Sequence, residues 1–134
     1  MGGQKFEVGK VTFDISKVEG NYATMLLTSL DDQAIEKSKR LLVLASSGAA
    51  NTDMKWNEER NSVGDDWGKA PTLVNVVTGQ VTLPMVAAKV YALDGTGKRT
   101  GEVSTIPVQG GAATMFKMGP THKTIWYEVI PESR

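Results

Sequence analysis

A chain of 134 residues that is 40% hydrophobic and 22% charged has the size and balance of one globular domain, with neither a disordered composition nor a membrane span. Lys plus Arg and Asp plus Glu number 15 each, so no net field draws in a phosphate backbone or an anionic bilayer; neither nucleic acid nor a membrane is expected as a partner. With no cysteine, disulfides, thiolate zinc sites and cysteine nucleophiles are excluded.

Residues 11–15 set Val11, Phe13 and Ile15 against Thr12 and Asp14, the alternation of a half-buried strand. Residues 22–30 form a second β-rich run, stopped by Asp31-Asp32-Gln33, a turn composition. Residues 34–39 suit a single helical turn. The apolar run 40–45 then reads as a core strand closed by Ser46-Ser47-Gly48. A long polar loop follows, holding two of the three tryptophans. Loops of that length without structure of their own tend to be functional or disordered, and tryptophan argues against disorder.

Beyond the loop, residues 72–77 and 80–83 are expected to form a hairpin about Thr78-Gly79, with Pro84 ending its second strand. A further hairpin is expected from residues 86–93 and 101–108, with Asp94-Gly95 at its tip. Gly110-Gly111 and Gly119-Pro120 punctuate the last two strands, 112–118 and 124–130. In the final strand Ile125, Tyr127 and Val129 alternate with Trp126, Glu128 and Ile130. Roughly nine short strands and no convincing helix predict an all-β fold: one antiparallel β-sandwich, jelly-roll or immunoglobulin-like, over residues 1–134.

The loop carries Asp53, Glu58, Glu59, Asp65 and Asp66, enough carboxylates to raise glycosidase chemistry. That chemistry needs two carboxyls about 5 to 9.5 Å apart on a rigid frame, which a loop on a small sandwich seldom supplies, so no enzyme is expected. Asn51 with Asp65 and Asp66 offers oxygens for a structural Ca²⁺, though the EF-hand spacing is absent; no other cofactor is expected. His122, the single histidine, sits in a turn and reads as a solvated loop residue rather than a zinc ligand. No G-x-S-x-G motif is present, and Gly95-Thr96-Gly97-Lys98 lacks the spacing of a phosphate loop.

The aromatic residues carry more weight. Trp56 and Trp67 can each present a flat apolar face to the C–H groups of a sugar ring, with Asn57, Glu58, Arg60 and Asp66 at hand for its hydroxyls. The competing expectation is that both fold back to plug the end of the sandwich, Trp56 stacking on Arg60. Trp126 must face away from Tyr127; if Trp126 is the outward one, a flat sheet-face platform rivals the loop.

The strings Ser38-Lys39-Arg40-Leu41-Leu42-Val43, Ala50-Asn51-Thr52-Asp53-Met54-Lys55-Trp56-Asn57 and Trp67-Gly68-Lys69-Ala70-Pro71, with Arg60, Ser62-Val63-Gly64 and Val81-Thr82-Leu83-Pro84, carry a likeness that covers about residues 22–103. Together they resemble a β-sandwich accessory domain, of carbohydrate-binding-module type, found beside the TIM-barrel catalytic domain of large bacterial glycoside hydrolases. The resemblance implies a non-catalytic module of an exported enzyme, at the cell surface, in the periplasm or secreted. Its partners would be a polysaccharide or oligosaccharide and the parent catalytic domain. It implies either glycan binding or bracing of the barrel, and it brings no binding residues with it: Trp56, Trp67 and Trp126 rest on their chemistry alone.

Overall fold

In the computed structural model, which describes residues 3–18, 20 and 22–133, the alternating segments form two antiparallel sheets packed face to face as a β-sandwich. One sheet runs in the order β1 (Gln4–Val8), β2 (Val11–Lys17), β6 (Thr78–Leu83), β10 (Ala113–Met118), β9 (Thr105–Val108). The other runs β3 (Thr24–Ser29), β4 (Leu41–Thr52), β11 (Trp126–Pro131), β7 (Ala88–Leu93), β8 (Arg99–Val103), with β5 (Lys69–Val76) paired to the far half of β4. No helix among the described residues is long and apolar enough to cross a membrane.

The core follows from the alternation. Val11, Phe13, Ile15, Val81, Leu83, Phe116 and Met118 point inward from the first sheet, and Leu41, Val43, Val90, Val103, Tyr127 and Val129 from the second. Each such side chain, fully buried, stabilises the fold by about 1.5 to 3 kcal/mol. Phe116 and Tyr127 meet across the sheets with ring centroids 5.5 Å apart and planes tilted by 44°. His122 lies edge-on to Tyr127 at 6.3 Å and is half-buried, so it closes one end of the core and is not the solvated residue expected.

The strands depart from expectation in three ways, of which the first and third raise the nine expected to the eleven among the described residues. First, β1 and β2 form a hairpin with Val8 opposite Val11. Its two-residue turn starts at Gly9 with φ +60°, the geometry that glycine opens at the first position of a type II′ turn. Second, β4 does not stop at Ser46-Ser47-Gly48 but runs on to Thr52, because β5 pairs with it from Val76 opposite Ser46 to Lys69 opposite Thr52. Third, the segment 101–108 is two strands, divided at Ser104, one in each sheet.

The expected hairpin at Thr78-Gly79 does not form. From β5 the chain passes through the buried Val77 straight into β6, crossing from one sheet to the other. Gly79 is instead a ladder residue, opposite Ile15 on one side and Met118 on the other. A Cβ there would fall 2.3 Å from the Asp14 carbonyl oxygen, so glycine is required by the approach of β2.

The two long sides of the sandwich differ. Ser104 joins β8 to β9, so the chain itself closes one side. On the other, the edge strands β1 and β3 leave a groove of about 310 Å³ whose lining includes Phe6, Val8, Phe13 and Met25.

Candidate functional site

From Ser47 onward the described partner of β4 is β5 alone, so the two strands leave the sandwich as a ribbon with the loop 53–68 at its tip. The ribbon is braced by polar side chains. Thr72 donates to Asn51 Oδ1 at 2.8 Å, Asn51 Nδ2 donates to the Trp67 carbonyl at 3.0 Å, and the Thr52 hydroxyl donates to the Pro71 carbonyl at 2.8 Å. Exposed Lys69 and Asp53 pair at 3.0 Å across the base of the loop.

The loop is ordered by its own backbone. Lys55 N–H donates to Asp66 O at 3.0 Å, Asn57 N–H to Ser62 O at 2.9 Å and Asp66 N–H to Val63 O at 2.8 Å. Asn57 is the organiser: its Oδ1 accepts the Asn61 amide at 3.1 Å and its Nδ2 donates to Asn61 Oδ1 at 2.8 Å. A residue proposed for sugar hydroxyls is therefore engaged in holding the turn. Val63, at 8% exposure, is the loop's buried apolar side chain.

Neither tryptophan plugs the sandwich, contrary to one of the two expectations. Trp56 is 44% and Trp67 62% exposed. The loop sits at the tip of the ribbon, where Val63 is buried and Met54 half-buried while both indoles stay exposed. Nor does Arg60 stack on Trp56: the cation–π contact among the described residues is Arg99 over Tyr91, at 3.9 Å.

Trp56 and Arg60 do come together with a residue that the sequence did not single out. They line an open cleft of about 520 Å³ between the loop and the approach to β3, and Tyr22, 61% exposed, lines it with them. Gly48, Ala49 and Ala50 contribute a surface with almost no side chain, and Asn75 adds an amide. Tyr22 is held from two directions: the Ser47 hydroxyl donates to its carbonyl at 2.6 Å, and its own hydroxyl shares a hydrogen bond with Thr24 at 3.0 Å. The clue to Tyr22 was available, since an aromatic at the mouth of a strand and next to a glycine turn is a candidate for exposure, but only the ribbon reveals what lies across from it.

The other nominated residues are not brought into this cleft. Trp67, Glu58 and Asp66 are exposed elsewhere on the loop, and the carboxylates of Glu58 and Asp66 make no ion pair or hydrogen bond among the described residues. Among the described residues no three His, Asp or Glu side chains converge as a metal site, and Asn51 is committed to the ribbon rather than turned toward Asp65 and Asp66.

Trp126 is on the outer face of the second sheet, half-buried, in register with Leu44 on β4 and Leu93 on β7. Next along the same face, Glu128 is only 2% exposed and lies between Arg40 Nε at 2.6 Å and Arg99 Nε at 2.5 Å. Burial pushes the Glu128 carboxyl up, but the hydrogen bonds and charges of Arg99 and Arg40 outweigh it and hold the group below the usual carboxylate range. The hydrogen bond to Glu128 likewise raises Arg99. Trp126 is thus outward, as the platform alternative requires, but it sits in a flat apolar row rather than a cleft. Compared with known proteins, the chain matches no family model, no curated protein and no solved structure.

Proposed function

We propose that this domain is a non-catalytic carbohydrate-binding module of a bacterial polysaccharide-degrading hydrolase, exported with its enzyme and binding plant cell-wall glycan. The observation that supports the reading is the cleft in which exposed Trp56 and Tyr22 flank a surface of Gly48, Ala49 and Ala50, with Arg60 and Asn75 as planar polar groups. A sugar ring is apolar on its faces and polar at its rim, so aromatic faces and planar donors complement it. Binding is expected to be weak per site, since each hydroxyl exchanged from water to protein contributes only about 0.5 to 1.5 kcal/mol. Affinity electrophoresis on soluble xylans, glucans and mannans tests this. Trp56→Ala and Tyr22→Ala should abolish retention while Trp67→Ala leaves it intact; equal retention of all three variants would remove the cleft.

A second reading, a domain that braces a catalytic barrel without binding glycan, is favoured by the ribbon. Trp67, Leu73 and Val74 are exposed on it, and β5 is exposed along most of its length, as a surface awaiting a neighbouring domain would be. This reading expects no retention on any glycan, and a lower melting temperature of the parent hydrolase when Leu73→Ser is introduced.

A further inference from the structure

Among the described residues that line the cleft, Arg60 is the only charged one. Its guanidinium makes no ion pair and no hydrogen bond with any described residue. The nearby acidic side chains are engaged or lie elsewhere: Asp53 pairs with Lys69, and Glu59 accepts from Asn61 at 2.9 Å. Arg60 is also presented at a backbone cost. Its φ is +56°, a region that a residue with a Cβ seldom occupies, and the turn that holds it there is fastened by the Arg60 N–H to Asn57 O bond at 3.0 Å and by the Asn57–Asn61 pair.

A neutral sugar hydroxyl both donates and accepts, and is served best by a mixture of carboxylates and amides. This cleft is donor-rich instead. Arg60 brings five N–H groups in a fixed fork and no acceptor, Asn75 brings one amide, and the Tyr22 hydroxyl is already shared with Thr24. The fork matches a planar carboxylate through two parallel hydrogen bonds. Resting on the carbohydrate reading above, we infer that the cleft selects uronic-acid-containing glycans, Trp56 and Tyr22 taking the ring faces and Arg60 the C6 carboxylate.

The experiment compares retention on polygalacturonate, glucuronoxylan and alginate with retention on the same polymers after carboxyl reduction, with dextran sulfate as a second anion. The wild-type chain should bind at least one acidic polymer roughly tenfold more tightly than its reduced form, the scale of a charge-assisted hydrogen bond. Arg60→Asn should remove the preference, so that the acidic polymer and its reduced form bind equally; Asn is chosen because it tolerates the left-handed backbone. If that variant fails to fold, Arg60→Gly, which relaxes the same φ, replaces it. Lys69→Ala, which removes a cation outside the cleft, should keep the preference. Equal retention on acidic and reduced polymers overturns this inference and leaves the carbohydrate reading standing. So does a preference that survives the loss of Arg60, or dextran sulfate bound as tightly as the uronates. Retention on none of these polymers, nor on the neutral xylans, glucans and mannans, overturns both.

Discussion

Gly79 and Glu128 are two residues whose importance lies in what surrounds them. At Gly79 a methyl group would collide with the Asp14 carbonyl, a backbone atom of a paired strand that cannot swing aside. Gly79→Ala should therefore destabilise the domain by about 2 to 4 kcal/mol in urea unfolding, well above a surface glycine change. Glu128 contributes through charge. Its folded pKa lies below the unfolded value near 4.5, so its stabilisation is present above that value and is lost as pH falls through the folded one. Glu128→Gln should cost about 1 to 2 kcal/mol at pH 7, at the low end for bonds to a charged group because both arginines are half exposed to water. The difference from wild type should shrink below pH 4.5, which urea midpoints across pH 3 to 7 would measure; a constant gap would mean that the carboxylate's charge is not the cause. The sequence showed that Glu128 faces away from Tyr127, but alternation assigns a face without saying how covered it is. The Arg40–Glu128–Arg99 bracket depends on three strands whose order is not local information.

At the scale of the element, β2 was legible because burial on one face writes period two into the chain, whereas in β11 Tyr127, Glu128 and Val129 are buried in succession and only the sequence alternation marked the strand. The two crossings at Val77 and Ser104 were not legible. At Val77 the chain changes sheets through one buried apolar residue, so Thr78-Gly79 looked like a turn although its glycine serves close packing; at Ser104 a single exposed residue separates the two strands, and nothing local marks the change of sheet. The ribbon was hidden for a related reason: Ser46-Ser47-Gly48 has loop composition, and it is the pairing of Ser46 and of residues 49–52 with β5, on either side of a register shift, that carries β4 through it. Placing the loop on a ribbon also explains why Trp56 and Trp67 stay exposed. Replacing residues 53–68 by a short Gly-containing turn should leave the sandwich folded, because loop length enters stability only through a closure term of about 0.6 kcal/mol per doubling. A shift in melting temperature of a few degrees, reflecting mainly the loss of Val63, is the expected result of a circular dichroism melt; collapse of the fold would show that the loop belongs to the core.

For the molecule as a whole, the crossings mean that neither sheet is a continuous piece of chain. The first draws on β1, β2, β6, β9 and β10, and the second on the segments between and after them. Neither can form its hydrogen bonds while the other is unfolded without leaving the shared core of Phe116, Tyr127 and Val81 open to water. Unfolding should therefore be one cooperative event, with far-ultraviolet ellipticity and tryptophan fluorescence giving coincident midpoints; separate midpoints would show that the sheets melt independently. This reach across the molecule is also why a sandwich was legible in composition and punctuation while its strand order was not.

The passage of β5 through Val77 into β6 has a mechanical meaning. β6 occupies the middle of its sheet, flanked by β2 and β10, while β4, the other leg of the ribbon, lies inside the opposite sheet between β3 and β11. Tension applied at the loop is thereby divided between two interior strands in different sheets. Each leg is loaded along its own axis, so whole ladders of hydrogen bonds must shear together rather than peel one by one. Under the carbohydrate reading proposed above, a polymer gripped at that loop is held through two interior strands, one in each sheet.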